Sequence, residues 1–516
     1  MTGTPAGPAM MSAAEAAATV PDGATLAMTG SGGGILEADD VLAAIEQRFL
    51  ATGHPRNLAV IHGLGIGDGQ RTGLNRLAHE GLVRRVIGGH WSWSPAMQAL
   101  AASGAIEAYS LPAGIIAALL RESGARRPGV FSQVGLGTFV DPRRQGGRLN
   151  DVSPDDLVTV AEIDGVEYLH YRPVHVDIGL VRGSSMDRLG NVSCAEEAAS
   201  LDSQAVAAAA RGCGGRIIAQ VKRRVAVGAQ DPRTVSVPGP LVDIGVLSPG
   251  QWQTYAGEYD PAFSQAAPTA GRARPAPRTA VPGPRDVVAR RAALEVPSGC
   301  VLNVGFGMSA GVVDVLAEQH RLDDVHLVIE QGAVGGVPET GELFGLSRYP
   351  AALVSSLSQF DFFATGMLDV AVLGMAEADR HGNVNVSKVG PAVVGPGGFI
   401  DIAHAAGTVV FCGTFTARGL RAEVAPGALH IAAEGRVRKF VHEVSHVTFD
   451  AAAARRRGQR ALYVTERAVF ELRDEGPVLI ETAPGIDLNR DVLGHMDFEP
   501  ALDPAPRRMP PEVFTA

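Results

Sequence analysis

Cysteine is scarce in this sequence. Cys194, Cys213, Cys300 and Cys412 are the only four in 516 residues, and no two stand in a C-x-x-C pair. That sets aside a disulfide framework and a cysteine-based zinc site, and it suits a reducing cytoplasm. Aromatic residues make up 5% of the chain, which leaves few platforms for stacking single-stranded bases. Charged residues reach 19% with a net charge of -10, and Lys is nearly absent beside Arg. The basic face with which a nucleic-acid binder displaces counterions is therefore missing. No apolar run approaches the roughly 18 residues of a membrane span, and AGIIAALL (113–120) has only the length of a core helix. The opening MTGTPAGPAMMSAAEAAATV has no basic stretch ahead of an apolar one, so it does not read as a signal peptide. The expectation is a cytoplasmic protein with no nucleic-acid and no membrane partner.

Glycine and proline are plentiful: 63 and 33 residues, about a fifth of the chain. Ordinary proteins hold roughly 12%. Hydrophobic residues make up 46%, so a large core can be buried. At roughly 100–200 residues per domain the length implies two to four domains. Residues 264–285, SQAAPTAGRARPAPRTAVPGPR, carry no apolar period and read as an exposed linker. They divide the chain into 1–263 and 286–516.

The two parts share a repeat. DIGLVRGSSMDRLGNVSC (177–194) aligns without gaps to DVAVLGMAEADRHGNVNV (369–386), so that Asp177, Asp187, Gly190 and Asn191 recur at Asp369, Asp379, Gly382 and Asn383. The same offset pairs RIIAQV (216–221) with TVVFCG (408–413), both strand-like. Two related α/β domains would place a site in the cleft between them. LAVIHG (58–63) and HLVIE (326–330) read as further strands. DDVLAAIEQRF (39–49) and GVVDVLAEQH (311–320) read as helices. Strands alternating with helices imply mostly parallel sheets with ligands near the strands' carboxyl ends.

The richest stretch is 301–338. It reads strand, Gly-rich turn, helix, strand and a second Gly-rich turn. Gly305 and Gly307 open the helix, where free N–H groups can meet an anion. Glu330 ends the second strand. It admits a dinucleotide reading, as the acid that binds ribose hydroxyls, although Gly311 comes one residue later than G-x-G-x-x-G requires. It also admits a structural reading, and a third as a nucleophile. Gly332, Gly335 and Gly336 leave little bulk around it, so a thioester could approach the backbone closely. A carboxylate attacking an acyl-CoA would form a mixed anhydride that a thiolate then opens.

The segments IEQGAVGGVP (329–338), GMAEADRHGNVNVSKVGP (374–391), GPGGFIDI (395–402), VFCGTFTARGL (410–420), YVTERAVFEL (463–472) and ETAPGIDL (481–488) resemble class I CoA-transferases. The type is the single-chain propionate, acetate or 3-oxoacid enzyme. PDGATLAMTG (21–30), GLGTFVDPR (135–143) and GGRLN (146–150) extend the likeness through the first half. The resemblance implies two Rossmann-like domains, a homo-oligomer, and ping-pong transfer of CoA from a short-chain acyl-CoA to a carboxylate such as acetate. Coenzyme A would be substrate and covalent intermediate, with no metal and no permanently bound cofactor. Glu330 falls on the glutamate that becomes a glutamyl-CoA thioester. Gly397 and Gly398 fall on a loop whose N–H groups lie near that thioester, with Asn383 and Asn385 in the adjoining loop. Gly135 and Gly137 match a segment facing the acyl pocket. Where many relatives read L-P-Q-G, this chain has Leu111-Pro112-Ala113-Gly114, so Ala113 brings no side-chain donor. An acyl-CoA hydrolase using the same glutamate and a nucleotide-dependent oxidoreductase are the alternatives.

Two patterns outside the resemblance carry weaker readings. His442-Glu443-Val444-Ser445-His446 fits H-E-x-x-H, which binds zinc only on a helix. Here β-branched residues alternate through it, as in a strand, which spreads the two histidines more than about 12 Å apart. His90 and the tryptophans Trp91 and Trp93 read as packing residues or as part of an acyl pocket, and His62 reads as packing.

Overall fold

The computed structural model describes residues 7–267, 283–390, 392–425 and 427–515. Most of the predicted linker falls on 268–282, outside the described residues. Its last residues are not linker: Pro284 opens the helix Pro284–Ala293. Proline suits a first helical turn, where its missing N–H is no loss.

Two large sheets organise the chain. The first runs Ala9–Met11, Ile244–Leu247, Arg216–Val225, Ile178–Asp187, Thr25–Met28, Leu58–His62, Val83–Gly88 and Glu107–Ser110, and every neighbouring pair is parallel. The second runs His326–Leu327, Val301–Val304, Val370–Gly374, Thr408–Cys412, Arg460–Val464, Ala468–Arg473, Gly476–Thr482 and Ala501–Arg508. Its first five strands are parallel, and the pairs made by Ala468–Arg473 are antiparallel. Strands such as Leu58–His62 and Val370–Gly374 are buried along nearly their whole length, as parallel strands covered on both faces must be.

The repeat read from the sequence is a repeat of structure. Asp177 accepts the Thr25 N–H at 2.8 Å, and Asp369 accepts the Val301 N–H at 2.8 Å. Asp187 caps a turn through the N–H groups of Leu189 and Asn191, and Asp379 does the same through His381 and Asn383. In both halves the strand after the repeat pairs in parallel with the strand that contains it. The matched acids thus solve one problem twice, tying a strand end and closing a turn.

The helices Asp39–Thr52 and Gly311–Glu318 form where apolar residues recur at helical spacing. The strand expected over 326–330 is shorter: it covers His326–Leu327. The Val328–Val334 bridge then starts a tight hairpin, closed by the Gly332 N–H donating to the Ile329 carbonyl at 2.9 Å. No helix among the described residues is long and apolar enough to cross a membrane.

Candidate active site

The carboxyl ends of the strands meet between the halves. Ser31 follows Thr25–Met28, Leu64 and Gly65 follow Leu58–His62, and His90 and Trp93 follow Val83–Gly88. From the other sheet, Gly305 and Phe306 follow Val301–Val304, and Glu330 follows His326–Leu327. These residues line two neighbouring cavities. One, of about 280 Å³, is walled mainly by the first half, through Ser31, Leu64, Ser92 and Trp93. The other, of about 230 Å³, is walled mainly by the second half, through Gly305, Leu373, Gly374 and Phe399. Glu330, His90, Phe306, Phe344 and Gly397 belong to both. Glu330 therefore sits where the two spaces join, at the tip of its hairpin.

Small residues make that position possible. Gly332 holds φ +110°, and a Cβ there would fall 2.0 Å from the Val354 carbonyl oxygen. A Cβ on Gly398 would fall 2.3 Å from Glu330 Oε2, so glycine here lets the loop lie against the carboxylate without displacing it. Burial pushes the Glu330 carboxyl up to about 7, and interaction with the Gln331 amide partly offsets that. The Gln331 side chain donates to Ser31 Oγ across the halves at 3.4 Å. Asp401, on the helix Phe399–Ala405, is also raised to about 8, first by burial and further by the charge of Glu330.

The glycine loop is stitched to the opposite half. The Gly397 N–H donates to Gly89 O at 2.8 Å, the Ala113 N–H donates to Gly397 O at 2.9 Å, and the Gly114 N–H donates to Asp401 Oδ2 at 3.2 Å. The Trp91 N–H donates to Val394 O at 2.8 Å. The Gly397 N–H is consequently spent on Gly89, and only Gly398 of the two expected donors keeps its N–H without a partner among the described residues.

Several expected site residues lie elsewhere. The Asn383 side chain donates to Asp379 at 3.1 Å and accepts the Ala451 N–H at 3.0 Å. The Asn385 amide donates to Glu377 Oε2 and Lys388 O and accepts the N–H groups of Ser387 and Lys388. Both hold loops, and neither lines the cavities. Gly305 lines the second cavity, but its N–H pairs with Val372 O at 2.9 Å. Gly307 precedes the helix by four residues rather than opening it, so this turn offers no anion seat of the kind expected. Gly135 and Gly137 pack against Tyr171 and Asp450, away from both cavities. Ala113 is buried and contributes its N–H, not its side chain.

The H-E-x-x-H stretch is not helical. His446 stacks on Phe139 with ring centroids 4.0 Å apart, and Glu443 pairs with Arg380. No group of His, Cys, Asp and Glu among the described residues could hold a metal ion. Trp91 is fully buried packing, as is His62, whereas Trp93 and His90 face the cavity. Phe344 had no signal of its own, and Gln331 stood unremarked in IEQGAVGGVP beside Glu330. Phe306 and Asp401 stood inside quoted motifs, where the glycines drew the attention.

The comparisons with known proteins decide the family. A family model described as Coenzyme A transferase matches residues 10–246. The acetate CoA-transferase YdiF of Escherichia coli O157:H7 is 41% identical over 505 residues, which is 98% of this chain and 95% of that protein. The chain belongs to the coenzyme A transferase family. Its sequence is also 40% identical, over 98% of its length and 97% of the relative's, to the caffeate CoA-transferase of Acetobacterium woodii. Among solved structures, the E. coli O157:H7 acyl-CoA transferase YdiF, in a thioester complex with CoA, superposes with a TM-score of 0.92. That match has 40% identity and covers 99% of this chain and 96% of that one. The protein is thus a CoA-transferase enzyme of the two-domain α/β fold, with coenzyme A as substrate. The nucleotide-dependent oxidoreductase reading falls with that assignment.

Proposed function

We propose that this CoA-transferase moves CoA from a short-chain acyl-CoA to a carboxylate such as acetate, through a glutamyl-CoA thioester on Glu330. The domains 1–263 and 286–516 would close the site from either side. One observation carries the reading: a desolvated, glycine-flanked carboxylate stands at the junction of two cavities, one walled mainly by each half, which leaves separate spaces for the acyl group and for CoA on either side of it. The likeness to an acetate CoA-transferase supports the acceptor.

The chemistry follows from that placement. A Glu330 oxygen attacks the thioester carbonyl, the C–S bond breaks and CoA leaves as thiolate. The resulting mixed anhydride is attacked at the Glu330 carbonyl carbon. The acyl carboxylate leaves, and the glutamyl-CoA thioester remains. A second carboxylate runs the same steps in reverse. No net proton moves. Burial makes the Glu330 carboxylate less well solvated than a surface acid, hence more reactive once ionised. The Gly398 N–H supports the tetrahedral oxyanions. Losing one such donor typically costs about 10²–10³-fold.

The test is mass spectrometry of the protein mixed with acetyl-CoA or propionyl-CoA. A CoA adduct on the peptide containing Glu330 is expected, together with its absence in Glu330→Ala. Retained transferase turnover in that variant would refute the assignment.

A further inference from the structure

The cavity on the first-half side of Glu330 is much larger than a two-carbon acyl group needs. We infer that it takes monocarboxylic acyl groups as large as an aromatic ring on a short spacer, and turns away acyl groups that carry a second carboxylate. The inference rests on Glu330 being the residue that accepts the acyl group.

Size is the first argument. An apolar cavity of about 150 Å³ takes benzene. This one measures about 280 Å³, room for such a ring and a spacer, whereas an acetyl group would leave most of it to water. Leu64, Trp93, Phe306 and Phe344 supply its apolar wall, with the Phe306 and Phe344 rings edge to face at 5.0 Å. Aromatic faces and edges of this kind favour a further ring packed against them.

The space is also built by the sequence. A Cβ on Gly32 would fall 2.1 Å from the Trp93 ring, and a Cβ on Gly65 would fall 2.6 Å from Trp93 Cδ1 and 2.8 Å from His90 Nδ1. These two glycines let the indole and the imidazole lie back against the chain. Any side chain at either position would drive them into the acyl space.

Charge supplies the exclusion. No Lys or Arg lines either cavity among the described residues. Burial lowers the His90 imidazole to about 4, so it is neutral at pH 7. Through the cycle the site holds one negative charge. Glu330 bears it before transfer, and the released acid bears it after transfer, when Glu330 is tied up as a neutral thioester. A second carboxylate would add a charge with no cationic partner, in a space whose polar groups apart from Glu330 are the neutral Ser31, His90, Ser92 and Gln331, and burying an unpaired charge is strongly unfavourable.

The experiment loads the enzyme with acetyl-CoA, verifies the adduct on the Glu330 peptide, and discharges it separately with acetate, trans-cinnamate and succinate. Cinnamate is expected to discharge the thioester with a kcat/KM within about tenfold of acetate. Succinate is expected to be at least about a hundredfold poorer than cinnamate, the scale of an uncompensated buried charge. In Gly32→Ala the cinnamate-to-acetate ratio should fall at least about tenfold, as a filled pocket requires. Succinate matching cinnamate, cinnamate failing where acetate succeeds, or an unchanged ratio in Gly32→Ala overturns the inference while the nucleophile assignment stands. Absence of any adduct on Glu330 overturns that assignment, and the inference with it. The unmodified enzyme decides the size and charge arguments even where the variant does not fold.

Discussion

Replacing Glu330 by glutamine should make the protein more stable at pH 8 while abolishing transfer. The substitution keeps the side chain's shape and removes its charge. Burial raises the Glu330 carboxyl from 4.5 to about 7 in the folded protein. A rise of that size corresponds to about 3 kcal/mol of folding free energy forgone when the group is ionised. Contact of the half-buried side chain with the cavity reduces this, so roughly 1–3 kcal/mol is expected. The sign follows from proton binding. Between pH 4.5 and about 7 the folded chain holds the proton and the unfolded chain does not, so stability falls as pH rises through that window. The stabilising contribution is full below the unfolded value and gone above about 7. Glutamine escapes the loss. With Glu330 neutral, the neighbouring Asp401 carboxyl also ionises more easily, which adds to the effect in the same direction. Urea denaturation of both proteins at pH 5 and pH 8 measures it, with the gap expected to open mostly between those two values. A gap that is the same at both pH values would refute the claim that Glu330 occupies a desolvating site.

The first half-reaction, read as adduct formation in rapid-quench mass spectrometry, should rise with pH through about 7 and then level, because the ionised carboxylate is the attacking form; a flat profile from pH 5 to 8 would contradict this. Gly398→Ala places a methyl group 2.3 Å from Glu330 Oε2 and should lower the adduct rate about a hundredfold with an unchanged circular dichroism spectrum. Asn383→Ala removes the bonds to Asp379 and Ala451 and should lower stability by about 1–3 kcal/mol in urea, with the adduct rate held at temperatures where the variant is folded. Arg291→Ala removes one of the two guanidinium partners of the buried Glu481, the one at 2.6 Å, and leaves Arg507 at 2.9 Å, so about 1.5–3 kcal/mol of stability should be lost on the same denaturation curves.

The residues that set the architecture were legible because their roles are local. Alternating apolar strands and amphipathic helices declare a parallel α/β arrangement wherever they lie in the chain. The duplicated Asp-x₉-Asp pattern, Asp177 with Asp187 and Asp369 with Asp379, declares a repeat because each acid satisfies backbone groups that every copy of the motif exposes. Glu330 stood out in the sequence because Gly332, Gly335 and Gly336 follow it, and each of them holds a positive φ that other residues adopt rarely.

What the tertiary structure decided is which groups face the same empty space. Asn383 and Asn385 carry the polar side chains a binding loop would have, but their hydrogen-bonding capacity is taken up by neighbours that sequence spacing does not reveal. The Gly397 N–H and Gly398 N–H are adjacent in the chain, yet Gly89, more than 300 residues away, claims the first. Phe344 and Trp93 become walls of one cavity only because the two sheets turn their carboxyl ends toward each other. The sequence by itself declared the α/β architecture and the repeat, whose requirements are met within a few residues, and singled out Glu330 as the candidate nucleophile. The structure alone decided the pocket's size, its charge and its free donors, because these depend on groups brought together across the halves.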